Sequence, residues 1–214
     1  MTARPIRIGA LISGGGRTVV NIARAIEGED LPVEIGVVIA HREEVPGVAR
    51  CRSLGLPVRV LPKPTNDGSN RVPPLDDAID AALEAAGVEL ICLCGYLRHF
   101  RVGTRWAGRT INIHPALLPK FGGQGMYGDH VHAAVIAAGE RESGCTIHVV
   151  DEEYDRGPIL LQRRCPVLPG DDAHALASRV FDEETKAYPE VLRGFATGRW
   201  TLPFTLRPQA APAG

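Results

Sequence analysis

The first third of the chain alternates between short apolar runs and amphipathic segments, and this alternation restricts the possible folds more than any other feature. Three runs have the length of strands, and the two segments between them have helical periodicity. The strand-like runs are 6–12, 33–40 and 57–61, and the helical segments are 19–26 and 45–54. Strands that alternate with helices pair in parallel through right-handed crossovers, so the order predicts an α/β sheet.

The remainder of the chain continues this pattern and then changes it. The predicted helices are 75–86, 129–138 and 171–195, and the predicted strands are 88–95, the segment containing Asn112 and His114, 144–150 and 158–167. The last helix contains Pro189, which cannot donate a helical hydrogen bond, so a break is expected near it. The last two strands have no helix between them and are therefore expected to pair as a hairpin.

The pattern as a whole predicts one domain over residues 1–206. The expected fold is an α/β, Rossmann-like, open and mostly parallel twisted sheet, with helices on both faces and a late antiparallel hairpin. The segment 63–74, rich in Pro, Asn, Asp and Gly, is expected to be a surface loop, and 207–214 a disordered tail.

Composition excludes several classes of protein. The formal charge of −1 at pH 7 and the sequence pI of about 6.7 give no reason to expect nucleic acid or a membrane surface as a partner. The five cysteines are odd in number and lie in apolar runs, which is typical of reduced, buried thiols in a cytoplasmic protein. The N-terminus lacks the apolar segment of a signal peptide. The oligomeric state, a monomer or a homodimer, is left open.

The clearest sign of chemistry is a pair of polar residues inside an otherwise apolar strand. Asn112 and His114 are two residues apart and so share one face, and Pro115 is expected to end the strand directly after them. Ligands bind at this carboxyl edge in open α/β sheets. An imidazole beside a carboxamide can hold developing negative charge on a carbonyl oxygen and can move a proton. Either residue alone would more often satisfy neighbouring backbone groups.

Two further segments carry weaker signals. The turn 13–18 (SGGGRT) joins a strand to a helix, where backbone N–H groups can hold a phosphate. It matches neither the dinucleotide nor the Walker pattern, and an ordinary glycine turn is the alternative. Asp155 lies in an acidic turn between the last two strands and could stabilise a charged His114 ring. By local sequence alone, a solvated carboxylate is the better interpretation.

Six motifs in this order resemble those of the phosphoribosylglycinamide formyltransferase family, within the folate-dependent formyltransferase superfamily. The motifs are LISGGG at 11–16, GYLR at 95–98, INIHPALLP at 111–119, SGCTIH at 143–148, DRGPILLQ at 155–162 and VLPGD at 167–171. The resemblance covers nearly the whole chain. No sizeable domain follows the motifs, which favours the glycinamide enzymes over relatives with added domains.

The resemblance implies a role for each matching position. It implies catalysis by Asn112, His114 and Asp155. Substrate binding would involve the ribose phosphate and ribose, with contacts from Gly14, Gly15, Gly16, Arg17, Thr18 and Glu184. The folate pocket would include Arg71, Leu97, Arg98, His99 and Phe100. The implied co-substrate is 10-formyltetrahydrofolate, and no metal is expected.

The chain departs from the family pattern at two places. The glycine loop of the family often reads Ser-Gly-x-Gly-Ser-Asn, whereas Arg17 and Thr18 replace the last pair here. A guanidinium is therefore expected to contact phosphate along with the backbone. The glycine-rich loop 122–128 is longer than in many relatives and is a candidate lid, and the partners of His130 and His132 are left open.

The implied reaction is acyl transfer from the folate to the amine of 5-phosphoribosylglycinamide. Asn112 and a protonated His114 would hold the oxyanion, and Asp155 would keep the ring charged. The nearest alternatives are hydrolysis of the same folate and transfer of the formyl group to another acceptor. A non-catalytic binding module or an NAD oxidoreductase would not require the three side chains to converge, and a separation of more than ~6 Å between Asp155 and His114 would favour those classes.

Overall fold

The computed structural model describes residues 4–28, 31–61 and 75–205, which form a single seven-stranded sheet with flanking helices. The strands are β1 (Ile6–Ile12), β2 (Val33–Ala40), β3 (Val58–Val60), β4 (Leu90–Leu93), β5 (Thr110–His114), β6 (Glu142–Val149) and β7 (Ile159–Pro166). The helices are α1 (Arg17–Gly28), α2 (Pro46–Ser53), α3 (Leu75–Ala85), α4 (Gly103–Trp106), α5 (Asp129–Ala137) and α6 (Ala173–Ala196). The predicted loop 63–74 and tail 207–214 lie outside the described residues, and the domain limits stay a prediction.

The strand order confirms the predicted fold class. It is β3-β2-β1-β4-β5-β6-β7, with parallel pairing from β3 to β5 and antiparallel pairing of β5 with β6 and of β6 with β7. The chain turns back beside β1, since β2 and β4 lie on its two sides. This is the switch point at which open α/β sheets form a crevice beyond the carboxyl ends of their strands.

Alternating side chains of the strands fill two cores on opposite faces of the sheet. In β1, Ile8, Ala10 and Ile12 belong to the core that also contains buried residues of α1, α2 and α6. Leu11 points the other way, into the core built with α3. Because both faces are covered, β4 is apolar throughout its length. No helix in the described part of the chain is long and apolar enough to cross a membrane.

The prediction that α6 breaks at Pro189 is wrong. The helix continues through this residue, which is buried within it. Proline has no N–H for the carbonyl oxygen of Thr185, four residues earlier. Asn21 of α1 supplies the missing donor, because its Nδ2 lies 2.7 Å from that oxygen. A second difference is α4, a single turn that the sequence did not predict.

Replacing Asn21 by alanine should therefore lower the free energy of unfolding by roughly 1–2 kcal/mol, since a partly buried carbonyl loses its donor. Urea denaturation measures the change. In the Pro189→Ala background the helix has its own donor for Thr185, and the same Asn21 substitution should have less than about half the effect. Equal losses in the two backgrounds would show that Asn21 acts through other contacts.

Candidate active site

A cavity of about 660 Å³ opens at the carboxyl ends of β1, β4 and β5. Asn112 and His114 lie in its wall, at the edge where the sequence predicted them. The cavity is also lined by residues 14–18, 94–98 and 123–129, with Asp155 and side chains of α6. Segments distant in sequence therefore meet around a single space at the switch point of the sheet.

Both ring nitrogens of His114 face hydrogen-bond acceptors. Nε2 lies 2.7 Å from the carbonyl oxygen of Phe121, to which an N–H at this nitrogen donates. Nδ1 lies 3.4 Å from Oδ2 of Asp155. The residue is 3% exposed, and burial lowers the pKa of its ring more than Asp155 and the Phe121 carbonyl raise it. The unliganded ring is therefore neutral at neutral pH, and the charged ring of the sequence hypothesis, which belongs to the intermediate, stays a prediction.

Asp155 is a largely buried carboxylate, and the interpretation as a solvated turn residue is wrong. Its side chain is 9% exposed, and its Oδ2 accepts a hydrogen bond from the Gly123 N–H at 2.9 Å. Burial opposes ionisation, but His148, His114 and the Gly123 N–H together outweigh it and lower the pKa of Asp155. The carboxylate therefore carries a fixed negative charge beside the cavity.

His148 joins the same cluster, although the sequence reasoning assigned it no role. The antiparallel register places it directly opposite Asn112, and its Nε2 lies 3.2 Å from Asn112 Nδ2 and 3.4 Å from Asp155 Oδ1. Its Nδ1 lies 3.0 Å from the carbonyl oxygen of Val149 and donates to it. Cross-strand pairing would have identified this residue once β5 and β6 were known to be antiparallel.

The turn after His114 is held from below by a small polar network. The buried Thr146 hydroxyl donates to the carbonyl oxygen of Ala116 at 2.6 Å and accepts from the Leu118 N–H at 3.0 Å. Gln162 adds bonds from its Nε2 to Leu118 and to Thr146. These contacts fix the segment that leads to Phe121, whose carbonyl orients the His114 ring.

The glycine turn is shaped by close backbone contact with α2. Gly16 has a φ of +66°, and a Cβ placed on it would lie 2.8 Å from the Cα of Gly47. Gly47 donates its N–H to the carbonyl oxygen of Gly14 at 3.0 Å, and Arg50 donates to that of Gly15 at 2.7 Å. With its carbonyls engaged in this way, the turn leads into the N-terminus of α1, where backbone N–H groups remain open to an anion.

Glu184 of α6 lines the cavity on the side of the glycine turn. Burial raises its pKa to about 7, and the nearby Arg17 opposes this shift. The folded chain therefore holds a proton that the unfolded chain loses at lower pH. This contribution to stability is complete below the unfolded pKa and is lost as the pH rises through the folded value.

Replacing Glu184 by glutamine should consequently stabilise the chain at about pH 8 by roughly 2 kcal/mol and change little at about pH 4. Denaturant titrations at the two pH values measure the difference. The exposed Glu27 at the end of α1 provides the matched control, since Glu27→Gln should change neither value. A gain of equal size at both pH values would mean that the protonation of Glu184 is not the cause.

The predicted folate-binding residues divide between two spaces. Leu97 and Arg98 line the main cavity, and Arg98 also lines a smaller adjoining cavity with His99 and Phe100. Phe100 is almost fully buried and belongs to the core on the α3 face. Arg71 lies outside the described residues.

The main cavity contains a second histidine, His132, for which the sequence predicted no partner. It is 4% exposed, and its Nδ1 has no hydrogen-bond partner among the described residues. Burial lowers its pKa, against the opposing effect of Asp129. His130 is exposed and makes an edge contact with Tyr127. Within residues 4–28, 31–61 and 75–205 no cluster of three His, Cys, Asp or Glu side chains could hold a metal ion.

Comparison with known proteins shows the family to which this chain belongs. The model of the formyl transferase family matches residues 6–192. The chain belongs to the formyl transferase family. The chain is 41% identical over 201 residues to "Phosphoribosylglycinamide formyltransferase, chloroplastic" of Vigna unguiculata. The match covers 93% of this chain but 64% of that protein. The chain is 35% identical over 198 residues to the phosphoribosylglycinamide formyltransferase of Haemophilus influenzae, covering 92% and 90% of the two chains.

Solved structures agree with the family assignment. The glycinamide ribonucleotide transformylase 1 of Symbiobacterium toebii superposes with a TM-score of 0.82 at 36% identity, covering 93% of this family member and 91% of that chain. The chain thus spans about two thirds of the plant protein and most of the bacterial ones.

Proposed function

We propose that the chain transfers the formyl group of 10-formyltetrahydrofolate to the amine of 5-phosphoribosylglycinamide, the third step of purine synthesis. The observation that carries the proposal is the convergence of Asn112, His114 and Asp155 on one cavity. Asp155 lies 3.4 Å from the His114 ring, well inside the ~6 Å over which charges couple strongly. A binding module would not need an ionised, buried carboxylate beside a buried imidazole.

In the proposed reaction the amine nitrogen attacks the formyl carbon, and a tetrahedral intermediate forms. Asn112 and His114 hold its oxyanion. The Asn112 amide has two N–H groups, and the one facing Asp155 Oδ1 at 3.5 Å makes only a long contact for which a substrate oxygen can compete. Protein donors thus polarise the carbonyl, and no metal is needed.

The neutral His114 ring has a part in the proton balance. The attacking amine becomes positively charged and gives up a proton, which the ring accepts directly or through one water. The charged ring has an N–H at both nitrogens, so one can stay on the Phe121 carbonyl or on Asp155 while the other turns to the oxyanion, whose negative charge favours the charged form. The proton passes to the folate nitrogen when its bond to the formyl carbon breaks.

The two substrates would occupy opposite ends of the cavity. The glycine turn with Arg17 and Thr18 would hold the phosphate, and Glu184 would bind the ribose. Leu97, Arg98, His99 and Phe100, next to Tyr154, would bind the folate. These assignments rest on the resemblance of the motifs and on the positions of these residues around the two spaces.

An assay with both substrates tests the proposal. Folate absorbance is followed with and without 5-phosphoribosylglycinamide, and the formylated amide is identified by mass. We expect loss of the formyl group only when the amine is present. Loss without the amine would instead support the alternative, a formyltetrahydrofolate hydrolase, and no reaction in either case would contradict both enzymes.

A further inference from the structure

Arg17, the residue at which this chain departs from the family pattern, is stacked on an aromatic ring from α6. Its guanidinium carbon lies 4.0 Å from the centre of the Phe181 ring. This is well within the ~6 Å at which a cation and a ring attract each other. Both residues line the main cavity. Arg17 is the first residue of α1, directly after the glycine turn.

The stack leaves the hydrogen-bonding edges of Arg17 available. Arg17 is exposed and donates no hydrogen bond to the described residues. A guanidinium that lies over a ring covers one of its planar faces, while its N–H groups point outward in its own plane. Those groups can bind a phosphate through two oxygens, beside the open N–H groups of the α1 N-terminus.

The helix that carries Phe181, α6, is anchored to its neighbours by hydrogen bonds. Asn21 of α1 donates to Thr185, one turn further along α6. Tyr188, two turns from Phe181, is fully buried, and its hydroxyl donates to the Leu93 carbonyl oxygen of β4 at 2.9 Å. The part of α6 that carries Phe181 is therefore held relative to both α1 and the sheet.

We propose that Phe181 is a positioning residue that holds the Arg17 guanidinium over the glycine turn in readiness for the phosphate of the amine substrate. The inference rests on the proposed function. An arginine fixed before binding loses less conformational entropy when the ligand arrives. Removing the ring should therefore weaken phosphate binding without altering the reacting groups.

Steady-state kinetics of Phe181→Leu test this role. We expect KM for the amine substrate to rise roughly 3- to 10-fold, with kcat and the KM for the folate within about two-fold of the original. Inorganic phosphate, used as a competitive inhibitor, should bind more weakly by a similar factor. Phe181→Tyr, which keeps the ring, should restore both constants and shows that loss of folding is not the cause.

A second set of variants separates positioning from a general effect. In the Arg17→Ala background Phe181→Leu should raise KM no further, because the ring acts through the arginine. Arg24→Ala removes a positive charge from an exposed position on the same helix and should leave KM unchanged. A glycinamide riboside without the phosphate should react equally with the original and the Phe181→Leu chain.

The two proposals fail in distinguishable ways. A chain that formylates no amine would contradict the proposed function. An active chain whose Phe181→Leu variant keeps its KM for the amine substrate and its phosphate inhibition would overturn the role of Phe181. That role is also overturned if the effects of Arg17→Ala and Phe181→Leu add, or if the folate KM rises as much as that of the amine.

Discussion

Replacing His114 by alanine is expected to lower kcat by roughly 10²–10³-fold, with modest changes in the KM of either substrate. The ring is proposed to hold the oxyanion and to carry the proton between the two nitrogens, and both roles belong to the transition state. Interactions that strengthen only there appear in kcat. Steady-state rates, together with calorimetric binding of each substrate, measure the two effects separately.

The control for this substitution is His174→Ala, which removes an exposed imidazole from the first turn of α6. It should react at the original rate. A His114→Ala chain that binds both substrates and still turns over within about three-fold of the original would remove His114 from the mechanism.

Replacing Asp155 by asparagine should lower the rate by roughly 10²–10³-fold and also change its pH dependence. The carboxylate raises the pKa of the His114 ring, against the burial that lowers it. Without that charge the pKa of the ring falls further, so the ring becomes a weaker base and its charged form loses its partner. The substitution also weakens the contacts of Asp155 with His148 and Gly123.

The pH profile of kcat/KM shows in which direction the pKa of His114 moves in Asp155→Asn. A neutral ring is needed to accept the proton, so the rate should fall as the pH drops through the pKa of His114. In Asp155→Asn this fall should move to lower pH, while the plateau drops. The amine substrate also titrates, and the pH profile of His114→Ala shows the part of the fall that is due to the amine alone. An unshifted limb would mean that Asp155 does not act through the ring, and Asp182→Asn, an exposed carboxylate on α6, serves as control.

The sequence predicted the sheet, its late hairpin and the edge at which Asn112 and His114 lie, because periodicity and proline placement are local signals. It could not predict that α6 continues through Pro189. That result depends on Asn21, a residue far away in the chain whose amide reaches the unpaired carbonyl. Local propensity does not contain such a tertiary contact.

The protonation states of the site residues could not be predicted from the sequence for a similar reason. The motif match implied a charged His114 in the intermediate but did not give the state of the free ring, whose pKa is lowered by burial, a property of the whole fold. Phe121 contacts the His114 ring through its backbone carbonyl. Every residue type has this group, so the sequence could not indicate the contact. His148 could have been found only after β6 was known to run antiparallel to β5.

The Tyr188 hydroxyl has a consequence for the way the cavity can open. It ties α6 to β4 beneath the reacting groups, and the Asn21 amide ties the same helix to α1. A hinge motion of α6 would break both anchors. The cavity is also bordered by residues 123–129, where three glycines have positive φ angles. Substrate entry and product release should therefore take place past residues 123–129, while α6 stays in place and limits the size of the ligand.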